Sequence, residues 1–242
     1  MTGISHEIIA QLTPTGELRA AINMSNFLLV VGKTDSGEPL GLSPDLAKAI
    51  ADALGVPIRF IPFKTPKEIS DSAGEGLWDI GNIGAEPQRT KRMDFTAPYV
   101  EIESTYLVPA GSTIQSIDEV DQPGKRISFA AGSAYGLWLE NNIKSADLRP
   151  TGIKQAFNQF ADEKMDAYAG LLPHLLTLVK ELPGARVLDG KFASVQQAVG
   201  VNKGNPEALA WLSQFVDEAK ASGLISSLIE KHGVQEKLSI AP

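Results

Sequence analysis

The sequence predicts an α/β fold in which short, mostly parallel strands alternate with helices. Three observations carry that expectation. Strand-like runs at Leu18–Ile22, Ile58–Phe63 and Asp79–Ile83 are separated by stretches with helical periodicity. Helix-start signals stand between them, at Ser43-Pro44 and at Thr65-Pro66-Lys67-Glu68. The second half of the chain then repeats the strand-then-helix order.

Taken in order, residues 4–12 are weakly helical, and Leu18–Ile22 reads as a first buried strand running out into Asn23-Met24-Ser25-Asn26-Phe27. A turn at Asp35–Pro39 follows. Ser43 reads as an N-cap with Pro44 at the first helical position. Leu46, Ile50 and Leu54, with Ala47 and Ala51, form the apolar stripe of the ensuing helix, and Gly55 stops it. Ile58–Phe63 is the second strand, and Thr65–Glu68 is a capping box opening another helix.

The stretch from Trp78 to Tyr99 organises the rest, and it reads as the floor of a ligand cleft. Asp79–Ile83 alternates like a short strand, and Gly81, Gly84 and Pro87 break it into a turn expected to expose backbone N–H groups. Arg89 follows. A guanidinium beside free amides traps a carboxylate through two parallel charge-assisted hydrogen bonds. Ligands of open sheets sit beyond the carboxyl ends of the strands, so the loops Asn23–Phe27 and Asn82–Arg89 are expected to face one another.

The order strand, small-residue turn, Arg89, then Asp94-Phe95-Thr96-Ala97-Pro98-Tyr99 resembles the family 3 extracellular solute-binding proteins, the polar amino acid receptors of ABC importers. Weaker likeness extends over nearly the whole chain. The resemblance implies a two-lobed type II periplasmic-binding-protein fold, each lobe a central, mostly parallel sheet flanked by helices and joined by two hinge strands. The lobes would be residues 1–102 with 198–242, and residues 103–197. It also implies that Ser25, Phe27, Asn82, Gly84, Ala85, Glu86 and Arg89 line the site in the first lobe, with Phe27 as an aromatic wall.

Beyond Tyr99, Val100–Pro109 reads as extended, and Ile127–Ala130 as a strand entering a helix through Ala131-Gly132-Ser133-Ala134-Tyr135. Such a turn presents a serine hydroxyl and amides at a positive helix end, as an anion site, as an ordinary N-cap, or as both at once. Ile153–Met165 reads as a helix and Asp166–Leu171 as a strand with its exit, followed by a helix over Leu172–Leu182. By the resemblance, Ser133, Ala134, Tyr135 and Leu171 belong to the site, and Gln197, on the returning strand Val195–Val201, lines it. The family usually carries an aspartate where Leu171 stands, to pair the ligand's ammonium. Leucine offers no charge, so either the solute lacks a buried ammonium or Glu86 supplies the carboxylate. Pro87 leaves the direction of Glu86 open between site and solvent. Asn205-Pro206-Glu207 caps a long helix to Ala221, and Ser222–His232 forms a last helix, both expected against the first lobe.

Hydrophobic residues at 43% and charged residues at 21% are ordinary for a globular chain. A net charge of −7 and a pI near 5.1 argue against a nucleic acid partner, which needs a basic footprint. Without cysteine there is no disulfide, thiol nucleophile or Cys-ligated zinc. No phosphate-cradling GxxxxGK[ST], GxGxxG or HExxH motif occurs, so no metal or cofactor is expected. The N-terminal MTGISHEIIAQL carries neither the basic nor the apolar region of an export signal. The resemblance implies a periplasmic location with the signal removed; a cytoplasmic one stays open. Of the three histidines, His6 and His232 are expected in solvent, and His174 lies beside the Leu171 exit.

The function expected is reversible, non-enzymatic capture of a small anionic or zwitterionic solute by a monomer serving an ABC permease, with Arg89 clamping a carboxylate. The alternative is a cyclohexadienyl-dehydratase-like enzyme acting on a cyclic carboxylate, with His174 or Glu86 as acid or base.

Overall fold

A computed structural model describes residues 4–242; the first three residues of the N-terminal stretch lie outside the description. The chain forms two compact units. One runs through Glu101 and resumes at Gln196; the other is Ile102–Val195.

The first unit begins with helix α1 (His6–Leu12), strand β1 (Leu18–Asn23), a small hairpin of β2 (Gly32–Lys33) and β3 (Pro39–Leu40), and helix α2 (Leu42–Leu54). Strand β4 (Ile58–Phe63), helix α3 (Pro66–Asp71), β5 (Ile80–Gly84), β6 (Met93–Phe95) and the start of β7 (Val100–Val108) follow. The second unit continues with β8 (Arg126–Ala130), α4 (Ala134–Asn142), β9 (Asp147–Thr151), α5 (Ala156–Asp162), β10 (Ala167–Leu171), α6 (Leu172–Leu178) and β11 (Arg186–Val187). Strand β12 (Ala193–Asn202) returns the chain to the first unit, which closes with α7 (Pro206–Ala221), α8 (Leu224–Lys231) and β13 (Ser239–Ile240).

In the first unit β1 lies between β4 and β5, parallel to both, with Ile22 opposite Pro62 on one side and Asn82 on the other. All six β1 residues are buried, as a strand covered on both faces by helices must be. Strand β12 pairs antiparallel with β5, Gln197 opposite Gly84, and β6 pairs with β12. A side chain at Gly200 would overlap Met93, so the glycine is what lets β6 lie close. The second unit's sheet has the order β7-β10-β8-β9, with β10 antiparallel to β7 and β8 parallel to both its neighbours.

Charge as well as apolar area ties the first unit together. Asp79 accepts from the Arg19 backbone N–H at 2.8 Å, from Nε at 3.0 Å and from Nη2 at 2.7 Å, while Nη1 donates to the Gly76 carbonyl at 2.6 Å. Trp78, inside a cluster with Ala21, Ile69, Ile83 and Met93, donates from its indole to Ser72 Oγ at 3.0 Å. Helix α7 packs on α1, and α8 on α2, as expected for the C-terminal helices.

Several local expectations are corrected. Helix α2 starts at Leu42 with Gly41 as N-cap, so Ser43 lies inside the helix. At Gly41 φ is 154°, a Cβ there would overlap the Leu29 carbonyl oxygen, and that oxygen accepts the Ser43 N–H at 3.0 Å. A distant carbonyl therefore does the work assigned to a serine side chain. Asn205 precedes α7 but makes no side-chain cap; its Nδ2 donates to the Asn202 carbonyl at 2.9 Å. The helix expected over Ile153–Met165 is only α5, because the Gly152 carbonyl accepts the Gln155 and Ala156 N–H groups in a turn that precedes it. His232 is not in solvent: its side chain is buried and lies 2.7 Å from Asp45 Oδ2, which also accepts from Lys231. Burial pushes the Asp45 carboxyl up, but the bonds to Lys231 and His232 together hold it below its usual range.

Candidate functional site

Strands β1 and β5 are parallel neighbours, so the loops leaving their carboxyl ends emerge side by side at one edge of the first unit's sheet. Asn23, the last residue of β1, accepts the Ser25 backbone N–H at 3.1 Å and the Ser25 hydroxyl at 2.7 Å, which folds the loop back on itself. Phe27 is 43% exposed in that loop and so does not serve as core. On β5, Asn82 is buried, and its Nδ2 donates to the Ser43 carbonyl at 3.0 Å, linking the strand to the start of α2. The Asn82 Oδ1 is buried without a hydrogen-bond partner among the described residues, and the buried Tyr99 hydroxyl lies against the Ser43 side chain.

The turn that follows is pinned from both sides. Gly84 pairs with buried Gln197, the Ala85 N–H donates to the Gln196 carbonyl at 2.8 Å, and the Glu86 carbonyl accepts the N–H groups of Arg89 at 2.8 Å and Thr90 at 3.3 Å. The amides of Ala85, Arg89 and Thr90 are therefore spent inside the fold. Arg89 is only 3% exposed, and its Nη1 donates to the Gly84 carbonyl at 2.7 Å. Burial pulls the guanidinium down to about 10, opposed by the charge of Glu86; it remains a cation at neutral pH. Burial likewise raises the Glu86 carboxyl, with Arg89 opposing. Glu86 is half-buried. The structure brings Asn82, Gly84, Ala85, Glu86, Arg89 and Gln197 together, with Ser25 and Phe27 on the adjoining loop.

In the second unit β8 and β10 are parallel neighbours, so the starts of α4 and α6 share an edge of that sheet. Ser133 caps α4, accepting the Gly136 N–H at 3.0 Å and donating to the Ala130 carbonyl at 2.7 Å. Its hydroxyl therefore works as an N-cap. Ala134 and Tyr135 form the buried first turn, where burial pushes the Tyr135 phenol up to about 12. Leu171 stands half-buried between β10 and α6 and offers no side-chain cap. His174 lies one turn on, its imidazole lowered by burial with Glu181 opposing. Among the described residues, no group of three or more acidic or histidine side chains forms a metal site, and no helix is long and apolar enough to cross a membrane.

Residues 8–235 match the model for bacterial extracellular solute-binding proteins, family 3. The chain belongs to this family. It is similar to the L-cystine-binding protein TcyJ of Escherichia coli (strain K12), 26% identical over 202 residues that cover 81% of this chain and 75% of that protein. Cyclohexadienyl dehydratase of Pseudomonas aeruginosa is 26% identical over 140 residues, 55% of this chain and 52% of that enzyme. Among solved structures, an ancestral amino acid-binding protein described as a precursor of cyclohexadienyl dehydratase superposes with a TM-score of 0.74 at 25% identity, over 93% of this chain and 98% of that one. The fold is that of the type II periplasmic binding proteins, as the motif resemblance implied. Family 3 holds binding proteins in the main, with the dehydratase as a distant relative.

Proposed function

We propose that this family 3 protein is the solute-binding component of an ABC-type importer and captures a small carboxylate-bearing solute, an amino acid or amino-acid-like acid, through Arg89. The observation that carries the reading is a buried arginine, Arg89, only 3% exposed at the carboxyl edge of the sheet and held by the turn that Gly84–Gln197 pairing pins. Burying a cation is costly, and an incoming carboxylate offsets that cost through charge-assisted bonds in a low-dielectric setting. The amino acid specificities in the names of its relatives are in keeping with such a solute. Its partners would then be the solute and a permease, its working form a monomer, and its location the periplasm. Binding acts by population: the solute favours the conformer it contacts best, and the permease reads that conformer.

The test is calorimetric titration with amino acids and their keto and hydroxy acid analogues, on the wild type and on Arg89→Lys. Lysine keeps the charge but loses the planar fork, and should weaken binding roughly 30-fold or more while leaving thermal stability near wild type. Affinity within about threefold of wild type would remove Arg89 from the site. Solutes recovered unchanged are expected; conversion of prephenate or arogenate to an aromatic product, lost in His174→Ala, would establish the dehydratase alternative instead.

A further inference from the structure

The turn that carries Arg89 hangs on the last rung of a ladder. Strands β5 and β12 pair as far as Gln197 opposite Gly84, and beyond that pair the ladder ends in the bond from the Ala85 N–H to the Gln196 carbonyl at 2.8 Å. Terminal rungs open most easily, because no further bond lies behind them. The Gln196 end of this rung is held by its own side chain, whose Nε2 donates to Glu101 Oε2 at 2.7 Å. Glu101 is anchored in turn, on β7, where it stands opposite Ser239 of β13. The next residue of β12 is gripped from the same side: the Gln197 carbonyl accepts the Tyr99 N–H at 2.8 Å.

The Gln196 amide is not satisfied by this arrangement. Its Oε1 is buried without a hydrogen-bond partner among the described residues, so aiming Nε2 at Glu101 leaves the other end of the amide unmade. Gln196 is half-buried, and a different rotamer would turn that oxygen to water. The bond to a carboxylate, stronger than one to a neutral acceptor, keeps it where it is. Glu101 and Gln196 are also the residues at which the first unit leaves off and resumes. One side chain therefore ties together the two strands by which the chain departs from that unit and returns to it, while the main chain of the same residue holds the turn of the site. We propose that Gln196 is a positioning residue of the solute site: clamped to Glu101, it fixes the Ala85 rung and through it the orientation in which Arg89 meets a carboxylate. This rests on the Arg89 reading above and extends it to a residue that acts through its main chain.

Gln196→Met keeps the length of the side chain, removes the unsatisfied oxygen and breaks the bond to Glu101. Thermal stability should stay near wild type. Without solute, the Ala85 N–H should exchange with deuterium about tenfold faster by NMR, while the amides of β1 keep their rates. The solutes titrated calorimetrically are L-cystine, L-histidine and L-arginine, and whichever binds the wild type should bind Gln196→Met about tenfold more weakly. The double variant Glu101→Gln, Gln196→Glu exchanges donor and acceptor, and should return both readouts to within about threefold of wild type. A residue with only a structural role would lower stability and speed exchange throughout the sheet, with no recovery on exchange of partners. Binding of none of the three solutes to the wild type, unchanged Ala85 exchange in Gln196→Met, equal acceleration in β1, or a double variant no better than Gln196→Met overturns the proposal. Arg89→Lys separates the two readings. If it leaves affinity intact, the carboxylate reading itself has failed; if it weakens binding while Gln196→Met binds as the wild type does, only the role of Gln196 is wrong.

Discussion

Glu86 and Arg89 each pay for burial in the same turn, and the acid carries a consequence for stability that needs no ligand. Its carboxyl is raised in the folded state, burial outweighing the attraction of Arg89. A carboxyl raised on folding costs nothing while it is protonated in both states. The cost sets in as pH climbs past the unfolded value of about 4.3 and is complete above the raised folded value. Glu86→Gln is therefore expected to melt higher than wild type near pH 7, with the gain shrinking as the pH falls to about 4. Thermal melts of both proteins without solute, across that range, check this. A constant difference at every pH would place the effect in packing rather than in the charge.

Among the elements, β1 and β5 depend on the locked pair at their amino ends. Arg19 leaves strand β1 and Asp79 stands just before β5, so their bonds set the two strands at the register that carries the Asn23 and Asn82 loops. Arg19→Met would leave the Asp79 carboxylate buried and uncompensated. The expected loss is about 3–5 kcal/mol in the unfolding of the first unit, read as a lower urea midpoint for that unit. The double variant Arg19→Met, Asp79→Leu, which removes both charges, should recover most of it. A single variant within about 1 kcal/mol of wild type would show that water already reaches the pair.

For the whole molecule, the chain passes between its two units within β7 and again within β12. Two units in one chain make a single unfolding free energy ill-defined, so ligand effects are better read as shifts in melting temperature. A solute bound only by the folded protein adds about 2.7 kcal/mol at a hundredfold excess over Kd. Calorimetric scans with a tight-binding solute should therefore move to higher temperature in the wild type and by much less in Arg89→Lys. A shift of equal size in both proteins would mean that the solute binds away from Arg89.

The sequence by itself determined those elements whose signals are local. Strand β4 begins and ends where its apolar run does, and α7 spans Pro206–Ala221 as its proline start and periodicity require. The Trp78–Tyr99 motif likewise marked Arg89 and the turn before it, because strand, glycine and proline act within a few residues of themselves. Tertiary structure decided whatever depended on distant partners. Strands β9 and β13 were illegible, since a polar strand of the kind in β9 needs only a neighbour's backbone to pair with. The start of α2 was set by the carbonyl of Leu29, the fate of His232 by Asp45, and the pairing of Arg19 by an aspartate sixty positions away. The same holds for Glu86. Its neighbours in sequence allow it to face either water or protein, and its burial beside Arg89 follows from the sheet packed around the turn, because desolvation is a property of everything that surrounds a charge.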